Sequence, residues 1–188
     1  MDQAVRLANK AVGHTSPNPA VGALIVKEGR IIGEGFTLPP GQHHAEIVAL
    51  RQAGPQAKGS ELYTTLEPCC TFGRTPPCTT AIIEAGVETV FVASIDPNPQ
   101  VSGKGCETLR EAGISVIISE ASGVTELYEG FTKHILQGIP FITAKYAMSL
   151  DDDTKKKMTF HEIKYGHRNI IHLNNNTLDN RIDNIEIL

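Results

Sequence analysis

Apolar and polar positions along this chain recur first with a helical period and then with a strand period. A first helix is predicted by small and apolar residues at helical spacing that end at Gly13: Ala4, Val5, Leu7, Ala8 and Ala11. Two β-rich runs follow at residues 23–26 and 30–36, and the Lys-Glu-Gly turn between them predicts a β-hairpin.

The remaining pattern predicts helices and strands in turn. Helices are predicted at residues 44–52, 78–84 and 104–112, and strands at residues 61–66, 89–93 and 115–118. Such alternation predicts an α/β fold in which a mixed sheet is covered by helices on both faces.

Composition narrows the class of protein. A chain of 188 residues, 40% hydrophobic and 20% charged, has room for one full-sized domain. The net charge of −4 disfavours broad binding to nucleic acid or to a membrane surface.

Because neither a leader-like start nor an apolar run of membrane-spanning length is seen, we expect a cytoplasmic protein without a membrane partner. In that reducing compartment Cys69 and Cys78 are better explained as metal ligands than as a disulfide.

One imidazole, two thiols and one carboxylate stand in an order suited to zinc catalysis. His44, Cys69 and Cys78 would supply three ligands, and a catalytic zinc ion keeps its fourth position for water. Glu46 follows the histidine by two residues and is predicted to carry a proton to the departing amine. A structural zinc site, or unrelated buried thiols beside a chance His-x-Glu, is the alternative. Pro68 before the first cysteine favours the catalytic interpretation.

A longer set of motifs specifies the family. The usual deaminase signature ends in PCxxC, whereas here eight residues separate Cys69 from Cys78. The motifs run in this order: Thr15-Ser-Pro-Asn-Pro19, His43-His-Ala-Glu46, Thr65-Leu-Glu-Pro-Cys69, Gly73-Arg-Thr-Pro-Pro-Cys78, Asp96-Pro-Asn-Pro99 and Ser102-Gly-Lys-Gly105. Over about residues 2 to 150 the chain resembles the deaminase domain of the bacterial bifunctional riboflavin-biosynthesis deaminase/reductase.

The resemblance implies a fold, a cofactor and a reaction. The fold would be the three-layer αβα arrangement of cytidine deaminases, with a central mixed sheet and here a short C-terminal appendage. The cofactor would be Zn²⁺. The reaction would be hydrolytic deamination of 2,5-diamino-6-ribosylamino-4(3H)-pyrimidinone 5′-phosphate, which releases ammonia. A homo-oligomer is also expected, since deaminases of this fold often assemble through their helices.

The resemblance also implies substrate contacts. Asn18 would read the amide edge of the pyrimidine, although a proline-flanked asparagine is otherwise a turn residue. Arg74 would bind the 5′-phosphate, with a solvated loop arginine as the alternative. Asn98, Ser102 and Lys104 would contact ribose and phosphate.

Two departures from the family pattern put substrate contacts in doubt. Thr37 stands where the family often has histidine, and Cys70-Thr71 stands where it commonly has Ser-His. Both positions raise the question of altered substrate choice or of an inactive paralogue. The intact His44, Glu46, Cys69 and Cys78 argue against inactivity.

The C-terminal segment does not follow the family. Residues 1–145 are predicted to form the deaminase domain, and residues 146–188 to hold a remnant of the reductase start followed by a tail. No GxGxxG fingerprint is present, so we expect a separate protein to act as reductase. The tail resembles part of an HNH nuclease motif, which would use His172, Asn180 and Asn184.

That tail leaves an alternative function open, a nucleic-acid-directed deaminase or nuclease-associated protein. The absence of tryptophan and the small number of aromatic residues weaken this alternative, because single-stranded nucleic acid usually binds stacking platforms. An appendage without function, or a chimeric junction, is the simpler interpretation of the tail.

Overall fold

The computed structural model of the chain describes residues 1–73, 75–147, 159–165, 170–172 and 185–187. Five α-helices lie in the described residues: α1 (Asp2–Ala11), α2 (Ala45–Ala53), α3 (Cys78–Glu84), α4 (Lys104–Glu111) and α5 (Val124–Gln137). The first five strands are β1 (Gly22–Lys27), β2 (Arg30–Phe36), β3 (Glu61–Thr64), β4 (Thr89–Val92) and β5 (Ser115–Ile118). A short 3₁₀ turn, Gly54–Ala57, follows α2.

These five strands form one mixed sheet in the order β2-β1-β3-β4-β5. The β1–β2 hairpin and the β1–β3 pair are antiparallel, whereas β3, β4 and β5 run parallel. The parallel strands are joined through α3 and α4, as crossover connections require. The predicted α/β fold with a central mixed sheet is therefore confirmed.

Helices cover both faces of the sheet at close range. At Gly22 of β1, a Cβ atom would fall on the Ala4 carbonyl oxygen of α1. Gly33 and Gly35 of β2 point to the opposite face, where a Cβ atom would fall on backbone atoms of α2. Because only glycine lets two backbones approach so closely, these positions set the spacing of the helical layers from the sheet.

The main core lies between the sheet and the helices α2, α3 and α4. Its strand residues come from alternate positions of β1, β3 and β4, which carry the side chains to one face: Ala23, Ile25, Leu62, Val90 and Val92. A smaller cluster under α1 contains Ala4, Leu7 and Leu24. The αβα layering implied by the family resemblance is present.

Most predicted elements are found within one or two residues of their expected bounds. The strand at 115–118 and the helix at 78–84 coincide with β5 and α3. His44 is the N-cap of α2 rather than its first residue, and β3 ends at Thr64 rather than at residue 66. The fourteen-residue helix α5 is absent from the elements predicted above.

Beyond α5 the structure describes two further strand pairs. Strands β6 (Ile142–Ala147) and β7 (Thr159–Tyr165) are antiparallel, as are β8 (Ile170–His172) and β9 (Ile185–Ile187). His172 ends β8, while Asn180 and Asn184 lie outside the described residues. The domain division at residue 145 and the nuclease-like tail stay predictions. None of the described helices is long and apolar enough to cross a bilayer.

Candidate active site

Three side chains predicted as metal ligands converge at one point. The ligand atoms of His44, Cys69 and Cys78 all lie within 4.8 Å of one another. The Nδ1 atom of His44 is 3.5 Å from the Cys69 sulfur and 3.3 Å from the Cys78 sulfur. This is the one cluster of three or more histidine, cysteine or acidic side chains with metal-binding spacing among the described residues.

Two helix N-termini and one loop bring these groups together. His44 caps α2 in an extended conformation, and Cys78 is the first residue of α3. Cys69 follows β3 in the loop and also completes the start of α3, because its sulfur accepts the Cys78 N–H at 3.3 Å and its carbonyl accepts the Thr79 N–H at 3.2 Å. Two of the N–H groups at the start of α3 are thus satisfied by the same residue that offers a sulfur ligand.

The thiols and the imidazole perturb one another's proton affinity. The hydrogen bond from Cys78 holds the pKa of the Cys69 thiol down at about 4, and His44 acts in the same direction. The same contact raises the pKa of Cys78. The hydrogen bond to Cys69 raises the pKa of His44. These contacts favour the thiolate form of Cys69, which is the form that binds metal.

Glu46 lies beside this cluster in the first turn of α2. Its side chain is only 3% exposed. Burial raises the pKa of the Glu46 carboxyl to about 7, and the negative charge of Cys69 adds to this effect. A carboxyl group with this pKa can both take up and release a proton near neutral pH.

The spacing of the three donors fits zinc. With Zn–S bonds of about 2.3 Å and Zn–N bonds of about 2.0–2.1 Å, tetrahedral geometry places nitrogen and sulfur ligands roughly 3.6 Å apart. The two nitrogen–sulfur distances of 3.5 and 3.3 Å come close to this value. One imidazole and two cysteine sulfurs also match the soft donor preference of zinc.

Comparison with protein families agrees with this geometry. The sequence profile described as the cytidine and deoxycytidylate deaminase zinc-binding region matches residues 1–94. The chain belongs to this zinc-binding deaminase family. The family assignment and the His/Cys/Cys cluster together confirm the predicted zinc cofactor.

Individual relatives are similar over most of this chain. The riboflavin biosynthesis protein RibD of Aquifex aeolicus is 54% identical over 152 residues, which are 80% of this chain and 43% of that protein. The diaminohydroxyphosphoribosylamino-pyrimidine deaminase of Buchnera aphidicola is 50% identical over 141 residues, which are 74% of this chain and 96% of that protein.

A solved structure shares the fold. It is a diaminohydroxyphosphoribosylaminopyrimidine deaminase/5-amino-6-(5-phosphoribosylamino)uracil reductase from Thermotoga maritima, with a TM-score of 0.70 and 46% identity. The match covers 75% of this chain and 41% of that chain. This chain therefore spans about two fifths of the length of its RibD relatives.

The structure describes four of the five predicted substrate contacts, three of them in two loops and one at the start of α4. Asn18 is half-buried in the loop between α1 and β1. Asn98 is half-buried in the loop between β4 and α4, Ser102 is exposed at the end of that loop, and Lys104 is the exposed first residue of α4. The Lys104 ammonium donates to the Gln100 carbonyl at 2.5 Å. Arg74 lies outside the described residues, and all five substrate contacts stay predictions.

The two departures from the family pattern have different environments. Thr37 is buried, and its hydroxyl oxygen accepts the Val21 N–H at 3.0 Å, so this side chain secures the loop that leads from Asn18 into β1. Thr71 is exposed and Cys70 is half-buried. Burial raises the pKa of the Cys70 thiol, in contrast to the thiolate at Cys69.

Two side chains near the site were not identified from the sequence. Glu67 is 5% exposed and accepts backbone hydrogen bonds from the β4–α4 loop. Tyr128 of α5 is 4% exposed, and its hydroxyl lies 2.7 Å from that of Thr65. Burial raises the pKa of the Tyr128 phenol, and the nearby Glu46 carboxylate acts in the same direction. Sequence spacing gives no sign of either contact, because each joins segments distant along the chain.

Proposed function

We propose that this chain catalyses the hydrolytic deamination of 2,5-diamino-6-ribosylamino-4(3H)-pyrimidinone 5′-phosphate. Support for the substrate comes from the names of the Buchnera and Thermotoga relatives, and from the Asn18 and Asn98 loops that this chain shares with the family motif. The observation that carries the proposal is a buried carboxyl, Glu46, beside a His/Cys/Cys group suited to zinc.

His44, Cys69 and Cys78 would hold the zinc ion. When bound, zinc supplies Lewis acidity that lowers the pKa of a coordinated water to about 7. Glu46 would receive the proton that the attacking water loses and pass it to the departing amino group. In the net reaction one C–O bond forms at the amidine carbon, one C–N bond breaks, and ammonia leaves.

Burial gives Glu46 the properties that this role needs. Its side chain is buried, so the carboxyl is shielded from bulk water. Burial raises the pKa of this carboxyl to about 7, which lies in the range suited to general acid–base catalysis near neutral pH. The side chains of Asn18 and Asn98 would orient the pyrimidine and the ribose.

Ammonia release tests the proposal directly. The zinc-loaded protein is incubated with the diaminopyrimidinone ribosyl phosphate and, in parallel, with an oligonucleotide containing cytosine and adenine. Release from the pyrimidine alone supports the proposal. Ammonia release from the oligonucleotide alone would replace the proposal with the nucleic-acid alternative. No ammonia release from either substrate would contradict both functions.

The product of the proposed deamination indicates which enzyme would act next. The Thermotoga relative is named as a reductase of the 5-amino-6-ribosylaminouracil phosphate as well as a deaminase. We therefore expect a reductase to consume the product of this site. That the reductase is a separate protein, that the chain forms a homo-oligomer and that it is cytoplasmic stay predictions.

A further inference from the structure

We propose that Glu67 is a positioning residue for substrate recognition, whose carboxylate holds the β4–α4 loop against the metal-binding loop. This inference rests on the proposed function only in its naming of the substrate. Glu67 lies two residues before the metal-ligand position Cys69, and its own N–H donates to the Ser94 carbonyl at 2.8 Å. The two loops are therefore already joined at their backbones at this point.

The Glu67 carboxylate is fully engaged by backbone donors. One oxygen accepts the N–H groups of Asp96 and Gly103 at 3.1 and 2.9 Å, and the other accepts the Cys106 N–H at 3.0 Å. Gly103 is the N-cap of α4, and Cys106 lies in the first turn of that helix. A buried anion is thus compensated by donors from both ends of the loop and by the positive end of a helix.

Close packing at the same junction leaves little freedom for the loop to shift. At Gly105, an added Cβ atom would fall on the Pro68 carbonyl oxygen and lie 3.1 Å from the Cγ atom of Glu67. The start of α4 is therefore in backbone contact with the residue before the ligand Cys69. A shift of Glu67 would therefore displace the start of α4, because no gap separates the two segments.

The hydrogen bonds continue from Glu67 to the proposed substrate contact. Asp96, which donates its N–H to Glu67, accepts the Asn98 N–H on its own carboxylate at 2.8 Å. The side-chain oxygen of Asn98 in turn accepts the Gln100 N–H at 3.0 Å. Through these hydrogen bonds, Glu67 fixes the position of Asn98 relative to the predicted metal ligands.

The test replaces the carboxylate with an amide of the same shape. In Glu67→Gln, one of the two terminal groups becomes a donor, so at least one of the three backbone N–H groups loses its acceptor and faces another donor. We expect at least tenfold faster amide hydrogen exchange at one or more of Asp96, Gly103 and Cys106. KM for the diaminopyrimidinone ribosyl phosphate should rise about tenfold, while kcat changes less than about threefold and zinc content is unchanged.

Two companion variants separate positioning from general damage. Glu107→Gln makes the same chemical change on an exposed residue of α4 and should leave exchange, KM and zinc content as in the wild type. Glu67→Asp keeps the charge on a side chain shorter by one methylene and should raise KM by an intermediate amount. If Glu67→Gln fails to fold, Glu67→Asp gives the same readouts.

The outcomes distinguish the two proposals. Unchanged amide exchange in Glu67→Gln, or unchanged KM despite faster exchange, would overturn the positioning role. Loss of zinc in step with loss of kcat would also overturn it, because Glu67 would then support the metal loop alone. If the wild-type protein does not turn over the pyrimidine, the proposed function fails. The amide hydrogen exchange measurement would still test whether the Glu67 carboxylate fixes the β4–α4 loop.

Discussion

Gly35 determines how closely the helix that carries His44 and Glu46 can approach the sheet. A Cβ atom at position 35 would fall on the Ala45 carbonyl oxygen, and would lie 2.8 Å from the Ala49 nitrogen and 2.9 Å from the Val48 Cβ atom. Ordinary contact between such atoms needs about 3.5 Å or more, so in Gly35→Ala the helix α2 must move outward by roughly 1 Å. His44 and Glu46 would move with it.

The expected cost has a structural and a catalytic part. Overpacking of this size costs about 1–3 kcal/mol of unfolding free energy, which lowers Tm by about 2–4 °C for each kcal/mol in a chain of this size. A displacement of about 1 Å in a catalytic group lowers kcat by roughly 100-fold. Thermal unfolding of the zinc-loaded protein and steady-state kinetics measure the two parts.

Gly130 provides a matched control for the same substitution. It lies inside α5, where an added Cβ atom would make only ordinary contacts with Phe141, the nearest at 3.6 Å. Gly130→Ala should therefore raise stability by up to about 1 kcal/mol through helix propensity and leave kcat unchanged. If Gly35→Ala unfolds at the wild-type temperature and turns over at the wild-type rate, the argument that close α2 packing sets the site geometry is refuted.

Four further expectations can be measured on the same protein. Glu46→Gln should retain zinc but lose turnover by at least about 100-fold, and retained turnover would remove Glu46 from proton transfer. Chelation of zinc should lower Tm, with recovery on adding zinc back, because a ligand that binds the folded state stabilises it; an unchanged Tm would argue against a metal held by the folded protein. Thr37→Val should lower the unfolding free energy by about 1–3 kcal/mol by leaving the buried Val21 N–H without its acceptor, and denaturant unfolding would show a smaller cost if water reaches that group. Tyr128→Phe should cost about 0.5–1.5 kcal/mol by removing the contact with the Thr65 hydroxyl, and an unchanged midpoint would show that this contact contributes nothing.

The sequence was most informative where chemistry and local structure coincide. His44 and Cys78 are at the beginnings of helices whose apolar periodicity is visible in the sequence, and Cys69 follows a strand run and a proline. Each predicted ligand is therefore tied to an element end that the pattern predicts to within a residue or two. Their convergence then follows from the α/β topology, which brings the strand end and the two helix starts to one region.

Helix α5 shows a signal that was present but not used. Val124, Leu127, Tyr128 and Phe131 recur at helical spacing between Gly123 and Gly138. The helix could therefore have been predicted from its pattern. The contact of Tyr128 with Thr65 could not, because it joins positions 63 residues apart and depends on how α5 packs beside α1.

Thr37 and Glu67 show why side-chain identity alone misleads near a site. Compared with the family motif, Thr37 suggests a lost substrate contact, yet its hydroxyl accepts a buried backbone N–H that would otherwise lack a partner. Glu67 lies inside the Thr65-Leu-Glu-Pro-Cys69 motif but has no spacing that assigns it a role of its own, yet three backbone N–H groups from the β4–α4 loop and the start of α4 bind it. Backbone donors carry no signature in the sequence, since every residue except proline has one. Residues that organise a site through the backbone therefore become visible only once the fold has brought the two segments together.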